Sequence, residues 1–107
     1  MFAVISFYQL EQMLDQGRRL LLIDLRSEAD YEESHLAGAI SIPYYVLEEG
    51  MPEETILETY GRIPLAFYCE HGGKSMRAAR DFAGRGWQTA SVGSGFQYYR
   101  GKYLVSS

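Results

Sequence analysis

The stretch Leu65-Ala-Phe-Tyr-Cys69-Glu-His-Gly-Gly-Lys-Ser75 decides the fold, because a short apolar run passes directly into a glycine-containing loop. The apolar run, Leu65–Tyr68, is typical of a buried strand. The segment after the loop, Ser75–Arg85, has apolar side chains at helical spacing and predicts an amphipathic helix. A strand, a tight loop and a helix in this order predict one unit of a parallel α/β sheet.

Cys69 is the only cysteine of the chain and stands at the carboxyl end of that predicted strand. Main-chain N–H groups of a glycine-containing loop, followed by a helix N-terminus, form a concave site for anions. Such a site favours a thiolate, which is the reactive form of cysteine. The sequence therefore predicts Cys69 as a nucleophile, and the anion-binding loop around it as Glu70, His71, Gly72, Gly73, Lys74 and Ser75. An inert cysteine packed in the core is the alternative.

Short apolar runs and helical segments alternate along the rest of the chain. The predicted strands are Phe2–Ile5, Leu20–Leu25, Ala39–Ile42, Leu65–Tyr68 and Thr89–Val92. The predicted helices run from Ser6 to Gly17, from Glu28 to Glu33, from Tyr44 to Tyr60 with a break near Gly50-Met51-Pro52, and from Ser75 to Arg85. This alternation predicts an α/β fold with a mostly parallel central sheet covered by helices on both faces. Ligands bind beyond the carboxyl ends of the strands in such sheets, where Cys69 is expected.

Length and composition restrict the class of protein. A chain of 107 residues with 47% apolar residues predicts one domain, over residues 1–107, with a core of its own. One cysteine and two histidines cannot form a disulfide framework and make a poor metal site, so no metal or other cofactor is expected. The N-terminus lacks the features of a signal peptide, and no apolar run has the length of a membrane span. A monomeric cytoplasmic protein is expected.

Charge is distributed unevenly along the chain. Residues 1–61 carry three basic and twelve acidic side chains, whereas residues 62–107 carry seven basic and two acidic ones. Because the basic half contains Cys69, we expect a positive field that favours a thiolate and a small anionic substrate. The alternative is a solvated polar face without a function. Nucleic acid is not an expected partner, since the isoelectric point is about 5.1.

Three segments of the chain together carry a recognisable pattern. They are Leu22-Ile-Asp24-Leu-Arg26 with Tyr31-Glu-Glu-Ser-His35-Leu-Ala-Gly38-Ala-Ile-Ser-Ile-Pro43, then Tyr68-Cys69-Glu-His-Gly72-Gly-Lys74-Ser75, then Gly93-Ser-Gly95-Phe96-Gln-Tyr98-Tyr99. In this order and spacing they resemble the N-terminal signature, the active loop and the C-terminal aromatic segment of rhodanese-type sulfurtransferase domains. Departures from the family pattern are Lys74 in place of a frequent arginine, Ser34 in place of glycine, and Tyr98 or Tyr99 in place of tryptophan.

The resemblance implies a single rhodanese-like domain with a two-step transfer of sulfur. Cys69 would take sulfane sulfur from thiosulfate or a persulfide donor, hold it as a persulfide, and pass it to cyanide or a thiol acceptor. No second cysteine is present, so the acceptor is expected to be external: a small thiol or a sulfur-carrier protein. Lys74 could hold the anionic end of the donor, and His71 could contact it. The remaining signature residues are expected to support the structure: Asp24, Arg26 and His35 by hydrogen bonds, Tyr98 and Tyr99 by packing.

Two other functions stay open from the sequence. Rhodanese-like domains can serve as non-catalytic interaction modules, although those typically lack the cysteine. Cysteine-dependent phosphatases and arsenate reductases use a similar loop that is one residue longer, with arginine six positions after the cysteine. In this chain that position is Ser75, and the next arginine, Arg77, falls inside the predicted helix. A phosphate group would lack its bidentate partner there, so the sequence favours sulfur transfer.

Overall fold

A parallel sheet forms the centre of the computed structural model, which describes residues 2–50 and 52–106. The strands of these residues are β1 (Phe2–Ile5), β2 (Leu21–Asp24), β3 (Ser34–Leu36), β4 (Ile40–Ser41), β5 (Leu65–Tyr68), β6 (Thr89–Val92) and β7 (Leu104–Ser106). Five of them form the parallel sheet in the order β1-β6-β5-β2-β4. The strand that precedes Cys69 is therefore the central one.

Helices connect the strands as the alternation predicted. They are α1 (Phe7–Asp15), α2 (Glu28–Glu33), α3 (Tyr44–Glu49), α4 (Glu53–Tyr60) and α5 (Gly73–Gly84), followed by a 3₁₀ turn at Phe96–Tyr98. The predicted break in the third helical segment separates α3 from α4, and its middle residue, Met51, lies outside the described residues. Among these described helices, none combines the length and the apolar composition that crossing a bilayer requires.

Side-chain alternation along β5 divides the core into two layers. Leu65 and Phe67 point into one apolar cluster, which also contains buried residues of α3, α4 and α5. Ala66 and Tyr68 point into the other, which contains Phe7 and other residues of the α1 side. Every residue of β5 is buried, as expected for a central parallel strand with helices on both faces. The predicted α/β architecture is confirmed.

The structure differs from the prediction at the ends of elements and in one small ribbon. Helix α5 begins at Gly73 rather than Ser75, because the loop turns into the helix directly after Gly72. Strands β3 and β7 pair antiparallel as a second, two-stranded sheet that the sequence did not predict. Each has only three residues, so neither shows enough alternation to be recognised as a strand.

Candidate active site

The sulfur of Cys69 lies at the N-terminus of α5. Its Sγ atom accepts hydrogen bonds from the N–H of Gly72, at 3.0 Å, and from the N–H of Ser75, at 3.4 Å. Gly72 is the N-cap residue of the helix and offers no side-chain acceptor, so the sulfur occupies the place that an N-cap side chain usually takes. Two N–H donors and the positive end of the helix dipole favour negative charge on this atom.

Cys69 is recessed, with only 3% of its surface exposed. It lines a cleft of about 350 Å³ together with residues of the β2–α2 connection, helix α2, the thiol loop and the start of α5: Leu25, Arg26, Ser27, Asp30, Glu70, His71, Gly73 and Lys74. The cysteine also joins the apolar cluster under α5, as the core-thiol alternative predicted. It therefore has both properties: its residue packs against the core, and it borders a cleft that a small reactant can enter.

Gly72 has a backbone conformation that its position requires. Its φ of +97° lies in the left-handed region, and a Cβ at this position would lie 2.5 Å from the carbonyl oxygen of Gly93. Gly95, in the third signature segment, has a φ of +80°, and a Cβ there would overlap the carbonyl oxygen of Glu70. Phe96 N–H also donates to the carbonyl of Cys69 at 2.8 Å. The third segment therefore packs directly against the thiol loop and fixes its path.

The buried side chain of Ser75 stabilises the end of the thiol loop by hydrogen bonds. Its buried hydroxyl group donates to the carbonyl of Gly72 at 3.0 Å and lies 2.8 Å from the hydroxyl group of Ser91 on β6. These contacts orient the Ser75 amide towards the sulfur. Sequence reasoning placed Ser75 in the loop but missed Ser91. A lone serine in a short strand gives no signal that it will face a loop sixteen residues earlier.

Asp24 and Arg26 form a buried ion pair beside the cleft. The Arg26 guanidinium donates to both carboxylate oxygens of Asp24, with the shortest contact at 2.9 Å, and to the carbonyl of Ser34 at 2.5 Å. Asp24 is fully buried and Arg26 is 8% exposed. Burial lowers the pKa of Arg26, but the hydrogen bonds and charge of Asp24 outweigh it, and the net shift is upward. The geometry gives both residues the supporting position that the sequence suggested.

Arg26 also connects this pair to the thiol loop. A nitrogen of its guanidinium lies 3.8 Å from a carboxylate oxygen of Glu70, the residue that follows Cys69. The guanidinium carbon lies 4.2 Å from the centre of the Phe96 ring, within the range of a cation–π contact. One cation therefore contacts the end of β2, the start of β3, the loop and the aromatic segment.

His35 and Tyr68 connect parts of the scaffold away from the cleft. The Nδ1 atom of His35 lies 2.8 Å from the carbonyl of Tyr31, and the two rings are stacked with centres 3.9 Å apart. The hydroxyl oxygen of Tyr68 accepts the N–H of Leu36 at 3.0 Å. Burial, together with the nearby charge of Asp24, raises the pKa of Tyr68, so it stays a neutral phenol. His35 does not line the cleft of Cys69.

The outer residues of the loop are exposed at the mouth of the cleft. The side-chain amide of Gln97 donates to Nδ1 of His71 at 3.0 Å. The ammonium group of Lys74 lies 5.8 Å above the ring of Tyr44 and lines the cleft. Both residues line the cleft of Cys69. Arg77, by contrast, does not line the cleft, and the arginine that does, Arg26, is already paired with Asp24.

The two tyrosines of the third segment have different positions. Tyr99 is buried, and its hydroxyl group donates to a carboxylate oxygen of Glu11 at 2.6 Å. Tyr98 is 77% exposed, so the expectation that it packs in the core or rim is wrong. The 3₁₀ turn at Phe96–Tyr98 explains the difference, because it directs Phe96 inward and Tyr98 into solvent.

The lining of the cleft is mixed in charge, unlike the basic half of the sequence. Helix α2 contributes Asp30 from the acidic half, and the loop contributes Glu70. Of the basic groups that line the cleft, Arg26 is already paired with Asp24, so Lys74 is the main cation available to a reactant. The uneven distribution of charge along the chain therefore does not produce the positive field that we expected at the cleft. Folding brings the acidic helix α2 next to the loop. No cluster of potential metal ligands occurs among residues 2–50 and 52–106.

A lone thiol held by main-chain amides at the carboxyl end of a central parallel strand defines a cysteine-loop α/β domain. The family described as "Rhodanese-like domain" matches residues 6–102, and the chain belongs to this family. A tRNA sulfurtransferase of Desulfurococcus amylolyticus is 31% identical over 80 residues, which are 75% of this chain and 15% of that protein. The chain thus spans only a small part of this relative's length.

Solved structures agree with the family assignment. A rhodanese-like domain protein from Staphylococcus aureus superposes with a TM-score of 0.77 at 15% identity, covering 98% of each chain. A thiosulfate sulfurtransferase from Pseudomonas aeruginosa gives a TM-score of 0.69 at 25% identity, covering 87% of this chain and 17% of the other. The fold is that of the rhodanese-like domain.

Proposed function

We propose that this protein transfers sulfane sulfur through a persulfide on Cys69. The observation that carries the proposal is the pair of N–H groups, from Gly72 and Ser75, that donate to Sγ beside an open cleft. The attacking thiolate and the persulfide are both anions, so donors fixed in advance favour the nucleophile and the intermediate. Similarity to a thiosulfate sulfurtransferase and a tRNA sulfurtransferase supports the same chemistry.

In the first step, the Cys69 thiolate attacks the outer sulfur of a donor. With thiosulfate, the S–S bond of the donor breaks and sulfite leaves with the bonding electron pair. In the second step, a nucleophile such as cyanide or a thiolate attacks the terminal sulfur of the Cys69 persulfide. The persulfide S–S bond then breaks, thiocyanate or an acceptor persulfide leaves, and the Cys69 thiolate is restored.

Lys74 is proposed to hold the anionic end of a small donor. Its ammonium group lines the cleft, and its contact with the Tyr44 ring limits the positions it can take. A point charge attracts an anion from several directions, whereas arginine would bind a sulfonate through two parallel hydrogen bonds. Lys74→Ala is therefore expected to raise KM for thiosulfate while leaving the fold unchanged. His71 is proposed as a second contact, since its ring also lines the cleft.

Thiosulfate:cyanide transfer by Cys69→Ser tests the proposal. We expect turnover to fall by at least about a thousandfold, since the serine hydroxyl stays protonated and forms no persulfide. Ser94→Ala is the matched control, because Ser94 is exposed on a neighbouring loop and should keep full turnover. Circular dichroism verifies that both variants fold. Equal turnover in Cys69→Ser would refute the nucleophile, and an inactive wild type that hydrolyses an aryl phosphate through Cys69 would indicate the phosphatase class.

A further inference from the structure

A larger groove adjoins the cleft of Cys69. It has a volume of about 530 Å³, and it shares three lining residues with the cleft: Arg26, Asp30 and Glu70. The groove, called here the side groove, extends from the thiol loop along α2 to the β3–β7 ribbon, where Ser34, Leu104 and Ser106 line it. Thiosulfate needs only the smaller cleft, so the side groove offers space for a much larger reactant that reaches Cys69 from one side.

The walls of the side groove carry carboxylates that have no ionic partner among the described residues. Asp30 and Glu33 come from α2, and none of the salt bridges found among the described residues includes either of them. Of the two cations of the groove, one is paired with a carboxylate and the other is hydrogen-bonded to main-chain carbonyls. Arg26 is paired with Asp24, and the guanidinium of Arg100 donates to the carbonyls of Gln97 and Tyr99.

The position of Glu33 is unfavourable for the helix that carries it. It is the last residue of α2, which has no basic residue in its last turn, and a carboxylate there faces the negative end of the helix dipole. Helix stability therefore does not explain an acidic residue at this place. An external cation beside Glu33 would offset this unfavourable interaction, because it would add positive charge at the negative end of the helix dipole.

The lining of the side groove is mostly polar, and apolar side chains contribute only part of it. Phe96 and Tyr99 are both buried and border the groove, and Leu104 lies beside them. Lysine and arginine side chains combine an aliphatic stem with a cationic end, so they match a lining in which carboxylates stand beside a few apolar side chains. An RNA backbone or a free anion would instead meet like charge.

We infer that the side groove binds a basic segment of a partner protein whose cysteine exchanges sulfur with Cys69. Binding requires only the groove, whereas the exchange rests on the proposed function. When the partner accepts sulfur, its thiolate attacks the terminal sulfur of the Cys69 persulfide. The S–S bond of that persulfide breaks, Cys69 leaves as a thiolate, and the partner carries the persulfide. The reverse reaction loads Cys69 from a persulfidated partner, and no external oxidant or reductant is needed.

Binding of two labelled peptides to the Cys69→Ser variant tests the groove without the chemistry. The peptides are Lys-Gly-Lys-Ser-Lys-Gly-Lys and its counterpart with glutamate at every lysine, and fluorescence anisotropy reports binding. We expect the lysine peptide to bind at least about tenfold more tightly at low salt, with the ratio falling as salt rises. Adding Glu33→Lys to this variant should weaken its affinity for the lysine peptide about fivefold. Glu58→Lys on α4 makes the same charge change outside the groove, so it should have little effect on that affinity. Equal weakening by both substitutions would overturn the inference.

Transfer kinetics separate this inference from the proposed function. Wild-type protein loaded with thiosulfate is mixed with the same peptides carrying cysteine in place of serine, and loss of sulfur from Cys69 is followed by mass. We expect Glu33→Lys to slow transfer to the lysine peptide and to speed loading by thiosulfate at low salt. If Glu33→Lys slowed both transfer to the lysine peptide and loading by thiosulfate, the defect would be general and would contradict the role inferred for the side groove. If Cys69 never takes up sulfur while the lysine peptide still binds at Glu33, the proposed function fails and the docking surface stands.

Discussion

The inner and outer sides of the thiol loop are built in different ways. On the inner side, Gly72 and Ser75 are buried and are held by Gly93 and Ser91 from the neighbouring β6 segment. On the outer side, three residues are exposed at the mouth of the cleft: His71, Gly73 and Lys74. The inner contacts fix where the amides point, and the outer side chains are those that we propose meet the reactant. Substitutions inside should therefore affect fold and chemistry together, whereas substitutions outside should change donor preference.

The largest expected effect comes from breaking the buried ion pair. Arg26→Ala leaves Asp24 fully buried without its cation and also removes the contact to Glu70. We expect a loss of about 3–5 kcal/mol in the free energy of unfolding, which is the usual cost of an uncompensated buried charge. Urea unfolding followed by circular dichroism measures it.

Arg85→Ala is the matched control for that substitution. Arg85 pairs with Glu53 at 3.3 Å, but its side chain is 53% exposed. An exposed pair contributes about 0–1 kcal/mol, so the control should unfold almost like the wild type. Similar losses in the two variants would mean that the Asp24–Arg26 pair does not organise the site.

Two neighbouring glycines give a sharper test of the inner side. Gly72→Ala places a Cβ against the carbonyl of Gly93 at a positive φ, and we expect a loss of about 2 kcal/mol together with most of the turnover. Gly73→Ala introduces the same methyl group where no atom lies within 4 Å, at the first residue of α5. Alanine there should change stability by less than about 1 kcal/mol. Thermal unfolding and thiosulfate:cyanide assays compare the two, and equal activity would show that the loop tolerates a shift of its amides.

A smaller effect on the free energy of unfolding is expected at alkaline pH, where Tyr99 ionises. Burial, with the hydrogen bond to Glu11, raises the pKa of Tyr99 to about 12 in the folded protein. The unfolded phenol ionises near pH 10. Between these values the folded state retains a proton that the unfolded state has lost, so this contribution is present below about pH 10 and is lost as pH rises towards about 12.

Comparison of the wild type with Tyr99→Phe should reveal this loss of stability at alkaline pH. The variant lacks the hydrogen bonds to Glu11 and to the N–H of Tyr103, so we expect it to be about 1 kcal/mol less stable at neutral pH. The gap between variant and wild type should narrow as pH rises from about 10. Urea midpoints measured at neutral and alkaline pH follow it, and a constant gap would contradict the assigned shift.

Much of the fold could be predicted because its signals are local. The buried strand Leu65–Tyr68 and the capping box of α1, in which Ser6 and Gln9 each accept a backbone hydrogen bond from the other, lie within short windows of sequence. The position of Cys69 at a strand end followed by glycines is local in the same way. The β3–β7 ribbon was missed since each strand depends on a partner about seventy residues away.

The position of the thiol and of its loop at the end of a strand could be predicted, but the residues that surround the loop could not. That Arg26 would contact Glu70, or that Ser91 would hold Ser75, depends on which strands become neighbours, and no spacing in the sequence reports it. The charge of the cleft was mispredicted for the same reason. The acidic helix α2 lies next to the basic half of the chain only after the sheet forms, and it brings Asp30 to the cleft of Cys69.

The most direct test of the central claim is the intact mass of the protein after incubation with thiosulfate and removal of excess reagent. If amide-held Cys69 is the sulfur carrier, the wild type gains the mass of one sulfur atom, and cyanide or dithiothreitol removes it. Cys69→Ser then gains nothing under the same conditions. An unmodified wild type, or an equal gain in Cys69→Ser, would contradict the account.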